Sequence, residues 1–415
     1  MGSTPRLPFK IKSVRICREE EMSIQTIDDC FYQIRNGANI KQGTVDGGYP
    51  ITRIETIAND KFNRDRMGYA GITDLDKYQN YVLEDGDLLM SHINSAQYLG
   101  RTVLYEKQGD EKIIHGMNLL GLKARRDIIM PAYARYCFYS QPFRDQIGKI
   151  TKKSVNQASF AVADLKKIKI DVPNLSEQNR VVDILNRVNQ VIDERRQELQ
   201  KLDELIKARF VEMFGDPIAN PMGWIETTIG DECFYIKDGP HKSLPDIGKE
   251  NGGHPFISVR NIVNGYIDFS SARYISDEDY ADAIKKCHPE KGDMLYSKGG
   301  TTGIAKLIDI DEEFANWVHV AVLKFDKTKL NGIFFENMLN GDYCYEQSQR
   351  LTKGIANRDL VLSAMAQIKM YRPPMELQEQ FADFVHQVDK SKVAVQASLD
   401  QAQILFDSLM QKYFG

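Results

Sequence analysis

The chain has 415 residues, 54 Lys+Arg against 58 Asp+Glu for a formal charge of −4, and six cysteines. That length allows two separate cores. No apolar run approaches the ~18 residues of a membrane span, and the N-terminus lacks a hydrophobic signal core, which points to the cytoplasm. The cysteines form no C-x-x-C pair and read as buried thiols, not as a disulfide frame or zinc site.

Residues 1–21 stand outside the pattern that follows and read as an N-terminal extension. From residue 22 the chain is written twice. Asp29-Cys30-Phe31-Tyr32 with Gly37 reappears as Glu232-Cys233-Phe234-Tyr235 with Gly239, and Gly48-x-Pro50 as Gly253-x-Pro255. Gly86-Asp87-Leu88-Leu89-x-Ser91 returns as Gly292-Asp293-Met294-Leu295-x-Ser297. Thr151-Lys152 with Asn156 returns as Thr352-Lys353 with Asn357, Leu175-x-Glu177-Gln178 as Leu377-x-Glu379-Gln380, and Met213-Phe214-Gly215 as Tyr413-Phe414-Gly415. A period this long marks whole duplicated domains, since solenoid repeats run only some 20–50 residues.

In chain order, the predicted organisation is a globular domain over 22–174, a long helix over 175–215, a second globular domain over 216–374 and a second long helix over 375–415. The globular domains read as mixed α/β (α+β). Leu88–Met90 and Met294–Tyr296 are short buried strands entered by acidic-Gly turns. Pro255–Arg260 alternates as a half-buried strand does, and Asn264-Gly265 signals a tight turn between strands. Aromatics at helical spacing predict helices over Ala132–Arg144 and Ile333–Gln349.

Pro173 and Pro373-Pro374 mark the starts of the long helices. Apolar residues then recur at Val181, Leu185, Val188, Ile192, Leu199, Leu202, Ile206, Phe210 and Met213. The second series is Phe381, Phe384, Val388, Val395, Leu399, Ala402, Phe406, Leu409 and Tyr413. Such stripes want a helical partner. Each helix would span roughly 55 Å at 1.5 Å per residue. The economical packing is an antiparallel coiled coil, giving an elongated molecule with a pseudo-two-fold axis. The other arrangement has each helix packing on its own domain.

Charge does not by itself announce a nucleic-acid binder. Residues 1–174 carry 26 Lys+Arg and 21 Asp+Glu, whereas residues 216–374 carry 18 and 23. A self-sufficient DNA binder usually shows a basic excess, because phosphate neutralisation supplies much of its affinity.

The repeated order of globular domain, Pro-x-Leu-x-Glu-Gln or Pro-Pro-x(2)-Leu-x-Glu-Gln, and long helix resembles the specificity subunit of Type I restriction–modification enzymes. Pro255-Phe256-Ile257-Ser258-Val259-Arg260-Asn261-Ile262 running into Asn264-Gly265 is similar to an element of that family's target recognition domains. So is Gly292-Asp293-Met294-Leu295-Tyr296-Ser297-Lys298-Gly299-Gly300-Thr301-Thr302-Gly303. The first repeat departs after Ser91, with His92-Ile93-Asn94-Ser95-Ala96-Gln97 in place of the Gly-Thr loop. The resemblance implies that each globular domain reads one half of a bipartite double-stranded DNA target. The helices then fix the unread spacer and dock two methyltransferase (modification) subunits, and motor–nuclease (restriction) subunits join the full complex. It implies no catalysis, cofactor, metal or membrane for this chain. Partner subunits would supply the missing backbone contacts.

Base readout needs Arg or Lys for guanine and Asn or Gln for adenine, with hydroxyls more permissive; phosphates take Lys, Arg, hydroxyls and backbone N–H groups. Three loops per repeat offer these groups. The first repeat supplies Arg53, Lys61, Asn63, Arg64 and Arg66, then Asn94, Gln97 and Tyr98, then Lys152, Lys153, Asn156 and Gln157. The second supplies Arg260, Asn261, Asn264 and Tyr266, then Lys298, Thr301 and Thr302 on a Gly-rich loop able to present amides to a phosphate, then Lys353, Asn357 and Arg358. For any one of them the plainer alternative is a solvated loop side chain.

Signals for chemistry are poor. Gly299-Gly300-Thr301-Thr302-Gly303 lacks the Lys-Ser/Thr of a P-loop, and no H-x-x-x-H or H-E-x-x-H pair offers a metal site. Asn220-Pro221-Met222-Gly223-Trp224 reads as an interdomain loop and His319 as a strand residue with a satisfied partner. Two other readings stand beside DNA recognition: a scaffold with duplicated protein-binding domains, and a nuclease with an unrecognised motif.

Overall fold

The computed structural model describes residues 23–43, 47–154, 157–355 and 358–415. Two compact units divide it: the chain up to Glu194 together with Leu399–Gly415, and Arg195–Ser398.

In the first unit, strand Ser23–Thr26 runs into a one-turn helix, Ile27–Cys30. Thr26 and Asp29 cap that helix reciprocally, each side chain taking the other's backbone N–H. Strand Phe31–Asn36 then opens an antiparallel sheet in the spatial order 31–36, 119–124, 88–91, 102–104. Helices Pro131–Tyr139 and Gln141–Ile150 contribute to the main core with Leu88, Met90, Leu120 and Leu122 of the sheet. Strand Lys169–Val172 returns antiparallel to Ser23–Thr26 and leads into the 40-residue helix Leu175–Phe214.

The second unit repeats this plan. Strand Ile225–Thr228 pairs with Lys369–Arg372, and the sheet order is 233–238, 320–325, 294–297, 305–307. Helices Gly332–Asn340 and Asp342–Leu351 take the places of the first pair, and Met375–Phe414 is a second 40-residue helix. The repeated Gly-Asp is a structural turn. Gly86 and Gly292 adopt φ of +88° and +86°, where a side chain would be strained. Asp87 and Asp293 accept the N–H of Glu84 and Glu290, and each pairs with a sheet lysine, Lys123 at 3.0 Å and Lys324 at 2.6 Å.

The fold adjusts the alignment of the repeats. Matching elements place Phe31 opposite Cys233 and Tyr32 opposite Phe234, one residue from the Cys-Phe-Tyr match, with a bulge at the same point in both strands. The structural criterion prevails because a one-residue slip in a strand exchanges its faces. Similarly, Gln178 corresponds to Gln378, not Gln380. Both are fully buried. Gln178 accepts from Met130 N–H and donates to the carbonyls of Ile128 and Pro173; Gln378 accepts from Asn331 N–H and donates to Lys329 and Pro373.

Other elements are shorter than their patterns suggest. Each predicted aromatic helix is two helices, broken where Ser140 and Gly341 are extended. Strand His254–Ile257 gives way to a 3-10 turn, Val259–Asn261, and Asn264-Gly265 turns the chain without strands on either side. His319 sits in a turn before strand Val320–Phe325, and its Nδ1 is buried without a hydrogen-bond partner.

Both stripes of the long helices face inward, and each helix end joins the core of its own unit. In the first unit Val181, Leu185, Val188 and Ile192 share a core with Leu399, Phe406 and Leu409 and with the sheet and short helices. In the second, Leu202, Ile206 and Phe210 share one with Phe381, Phe384 and Val388. Val395 is buried and Leu199 half-buried. The pairing in the second unit is antiparallel: Phe210 meets Phe381 at 5.3 Å between ring centroids, the Arg209 guanidinium lies over Phe384, and Asp203 bonds Lys392 at 2.7 Å. Packing against the other helix and packing on the globular core therefore occur together.

Candidate nucleic-acid interface

In the first unit the most basic loop is largely occupied with holding itself together. Arg53 donates to Gln42 Oε1 at 2.7 Å and to the Gly43 carbonyl at 2.8 Å, its guanidinium lying where a side chain on Gly68 would have to stand. Asn63 donates to the carbonyls of Thr56, Ala58 and Lys61. Arg64 forms a two-pronged bond with Glu111 over the rings of Phe62 and Tyr105. Those bonds hold the Glu111 carboxyl down at about 2. These three side chains brace the loop from within. Lys61 is exposed and bonds Asp193 on the long helix, leaving Arg66 exposed and without an ion pair among the described residues.

The other two loops of this unit are brought together. Strands Ile93–Asn94, Ala158–Ser159 and Lys152–Lys153 form one small antiparallel sheet. It holds Asn94 on one side of Ala158 and, on the other, two exposed lysines that make no ion pair among the described residues. Asn94 is partly engaged, accepting the Ser95 N–H, while Gln97 and Tyr98 are exposed. The Arg101 guanidinium lies 4.8 Å from the centroid of the Tyr98 ring and bonds Asp60 of the basic loop at 3.1 Å. This link between loops was not seen in the sequence, because Arg101 follows the loop that matched poorly. Gln157 is exposed, its carbonyl taken by Ser154. Asn156 lies outside the described residues.

The second unit joins the same two loops by different bonds. Lys298 is 5% exposed and sits between Asp359 at 2.9 Å and Asp238 at 3.5 Å. Thr302 is buried against the Thr352 hydroxyl at 2.9 Å. The amides of Gly299, Gly300 and Gly303 donate to His319, Arg358 and Ser297 carbonyls. Lys298, Thr302 and these amides therefore tie loop segments together. Asn261 is likewise buried, accepting from Ser258 N–H and donating to Asp268 and Ser271. Asn264, Tyr266, Thr301 and Lys353 remain exposed; Arg260 and Arg358 are exposed but bond Ser271 and Gln349. Asn357 lies outside the described residues.

The divide has a physical cause. A polar residue beside a Gly-rich turn serves either the turn or a ligand, and burial decides which. What remains outward is a set of cations, amides and aromatic rings on paired loops, the chemistry that meets phosphates and base edges. Among the described residues no group of His, Cys, Asp and Glu is placed to hold a metal ion, and no helix is long and apolar enough to cross a membrane. The five described cysteines are buried and unbridged. Asn220 closes a turn with Trp224, whose indole N–H donates to the Phe214 carbonyl at the end of the first long helix.

Comparison with known proteins agrees with this geometry. A specificity subunit of a putative type I restriction enzyme, MjaX of Methanocaldococcus jannaschii, is 27% identical over 89% of this chain and 87% of its own length. The S subunit of the type I restriction-modification system of M. genitalium shares the fold with a TM-score of 0.57, at 16% identity over 97% of this chain and 98% of its own. A chain from a structure of type I R-M complex assembly gives 0.53 at 16% identity, over 98% and 99%. The family model for the type I restriction modification DNA specificity domain matches twice, at residues 19–204 and 221–402, and the chain belongs to that family.

Proposed function

We propose that this chain is the DNA-reading subunit of a type I restriction–modification complex, each unit reading one half of a split target. The observation that carries the reading is that the specificity-domain match falls on both repeats. In each repeat the fold gathers two loops that leave exposed cations facing outward. The long helices set the distance between the half-sites and offer docking surface to two methyltransferase subunits, with motor–nuclease subunits completing the restricting complex. The chain itself is non-catalytic. With net charges of opposite sign in the two globular segments, it binds DNA weakly alone and relies on partners for phosphate contacts.

Methylome sequencing tests this directly. A host without adenine methylation of its own receives this gene and its neighbouring methyltransferase gene. The expected result is one methylated adenine in each half of a bipartite motif, lost when this gene is removed. Both proteins present and soluble without any new methylation would overturn the reading.

A further inference from the structure

The loop between Thr352 and Asp359 carries Ile355. Its side chain is 100% exposed, whereas no other large apolar side chain among the described residues exceeds 77%. Single exposed apolar residues are ordinary on protein surfaces. Three features set this one apart.

The first is its company. Exposed Lys353 and Arg358 bracket it on the same loop, so a polyanion drawn to the cations meets the isoleucine between them.

The second is the rigidity of the base. Lys353 and Asp359 exchange both backbone hydrogen bonds at 2.9 Å, Gly300 N–H donates to the Arg358 carbonyl, and Leu360 N–H to that of Lys298. The Lys298 ammonium holds Asp359 from beneath at 2.9 Å. The cost of ordering the base of the loop is thus met within the fold, so less of any insertion energy is lost.

The third is the backbone. Gly354, at φ +86°, turns the chain immediately before Ile355, a conformation that residues with side chains rarely adopt.

We infer that Ile355 is a wedge that enters the DNA of the second half-site, partly unstacking one base step, while Lys353 and Arg358 engage the flanking phosphates. An apolar side chain inserted between bases with cations on either side is a known physical means of bending a duplex. It would make the second half-site sensitive to the flexibility of a step that the protein does not read by hydrogen bonds. This inference rests on the recognition reading above.

The test uses the complex of this chain with its methyltransferase subunits. Duplexes of the mapped target carry 2-aminopurine at successive positions, the methylated adenines excepted. A fluorescence rise at one step of the second half-site is expected for the natural protein and for Ile355→Met. Loss of that rise is expected for Ile355→Ala and Ile355→Ser, with several-fold weaker binding and unchanged signals at the first half-site. Sequence-specific binding with no rise at any second-half step would overturn the wedge, as would an undiminished rise in Ile355→Ala. Absence of sequence-specific binding by the natural complex would instead overturn the recognition reading.

Discussion

His115 and Asn316 perform the same task in the two repeats. His115 Nε2 bonds the Leu119 carbonyl at 2.9 Å, and Asn316 Nδ2 donates to the Val320 carbonyl at 2.7 Å. Burial pushes the His115 imidazole down to about 4 from the ordinary 6.5. A depressed folded-state value means that its contribution is complete above 6.5 and is lost as pH falls through about 4, up to about 3 kcal/mol in all. His115→Asn should flatten the acid limb of the unfolding curve across that window, at a small cost near neutrality from the smaller side chain. Glu111, held at about 2 by Arg64, should produce a separate loss below the ordinary carboxylate range. Chemical denaturation at stepped pH measures both. Lys298 gives a second contrast. Lys298→Ala removes the buried cation shared by Asp359 and Asp238, although Asp238 keeps Lys286 at 2.8 Å, and should cost about 2 kcal/mol of stability. Exposed Lys152→Ala should leave stability within about 0.5 kcal/mol and act only on DNA affinity. Comparable unfolding midpoints for the two variants would refute the division between scaffold and surface side chains.

At the scale of elements, the junction of return strand and long helix is the most over-determined point of each repeat. One buried glutamine there satisfies three backbone groups at once. Gln178→Ala or Gln378→Ala should each cost about 3 kcal/mol, since buried donors and acceptors lose their partners. Gln380→Ala should cost little, which checks the structural register of the repeat. Much of this level is legible in the sequence: the buried strands at Leu88–Met90 and Met294–Tyr296 follow from short apolar runs after acidic-Gly turns, and the long helices and their stripes from periodicity. What was not legible has local causes. Ser140 and Gly341 break helices through backbone extension rather than a change in apolar period. The burial of Asn261 and Lys298 is not legible because residue type alone cannot tell a buried polar side chain from an exposed one. The joining of loops 92–98 and 152–157 depends on pairing between distant strands, which single-segment patterns do not encode. If the helices act as a ruler, seven residues added to each should lengthen the unread spacer by about three base pairs. Both half-sites should stay unchanged, and an unaltered spacer in the methylome would sink the ruler.

For the whole molecule, the sequence order of domains and the compact units differ in one respect. Leu399–Gly415 belongs to the first unit, although it is the last segment of the chain. Removing it should destabilise the first unit by exposing Leu185, Ile192 and Tyr136, while leaving hydrogen-exchange protection in the strands 294–297 and 320–325 nearly intact. Equal loss of protection in both units would contradict this assignment.

The same feature has a consequence for synthesis. A ribosome releases the first globular region long before it makes the helix end that covers that region's apolar groove. At 5–20 residues per second, the wait is roughly 10 to 40 s. During that interval Leu185, Ile192 and Tyr136 lie open to any passing apolar surface. The nascent chain is therefore a natural client for chaperones, and slow codons in the second repeat should lower its soluble yield through misassembly of the first.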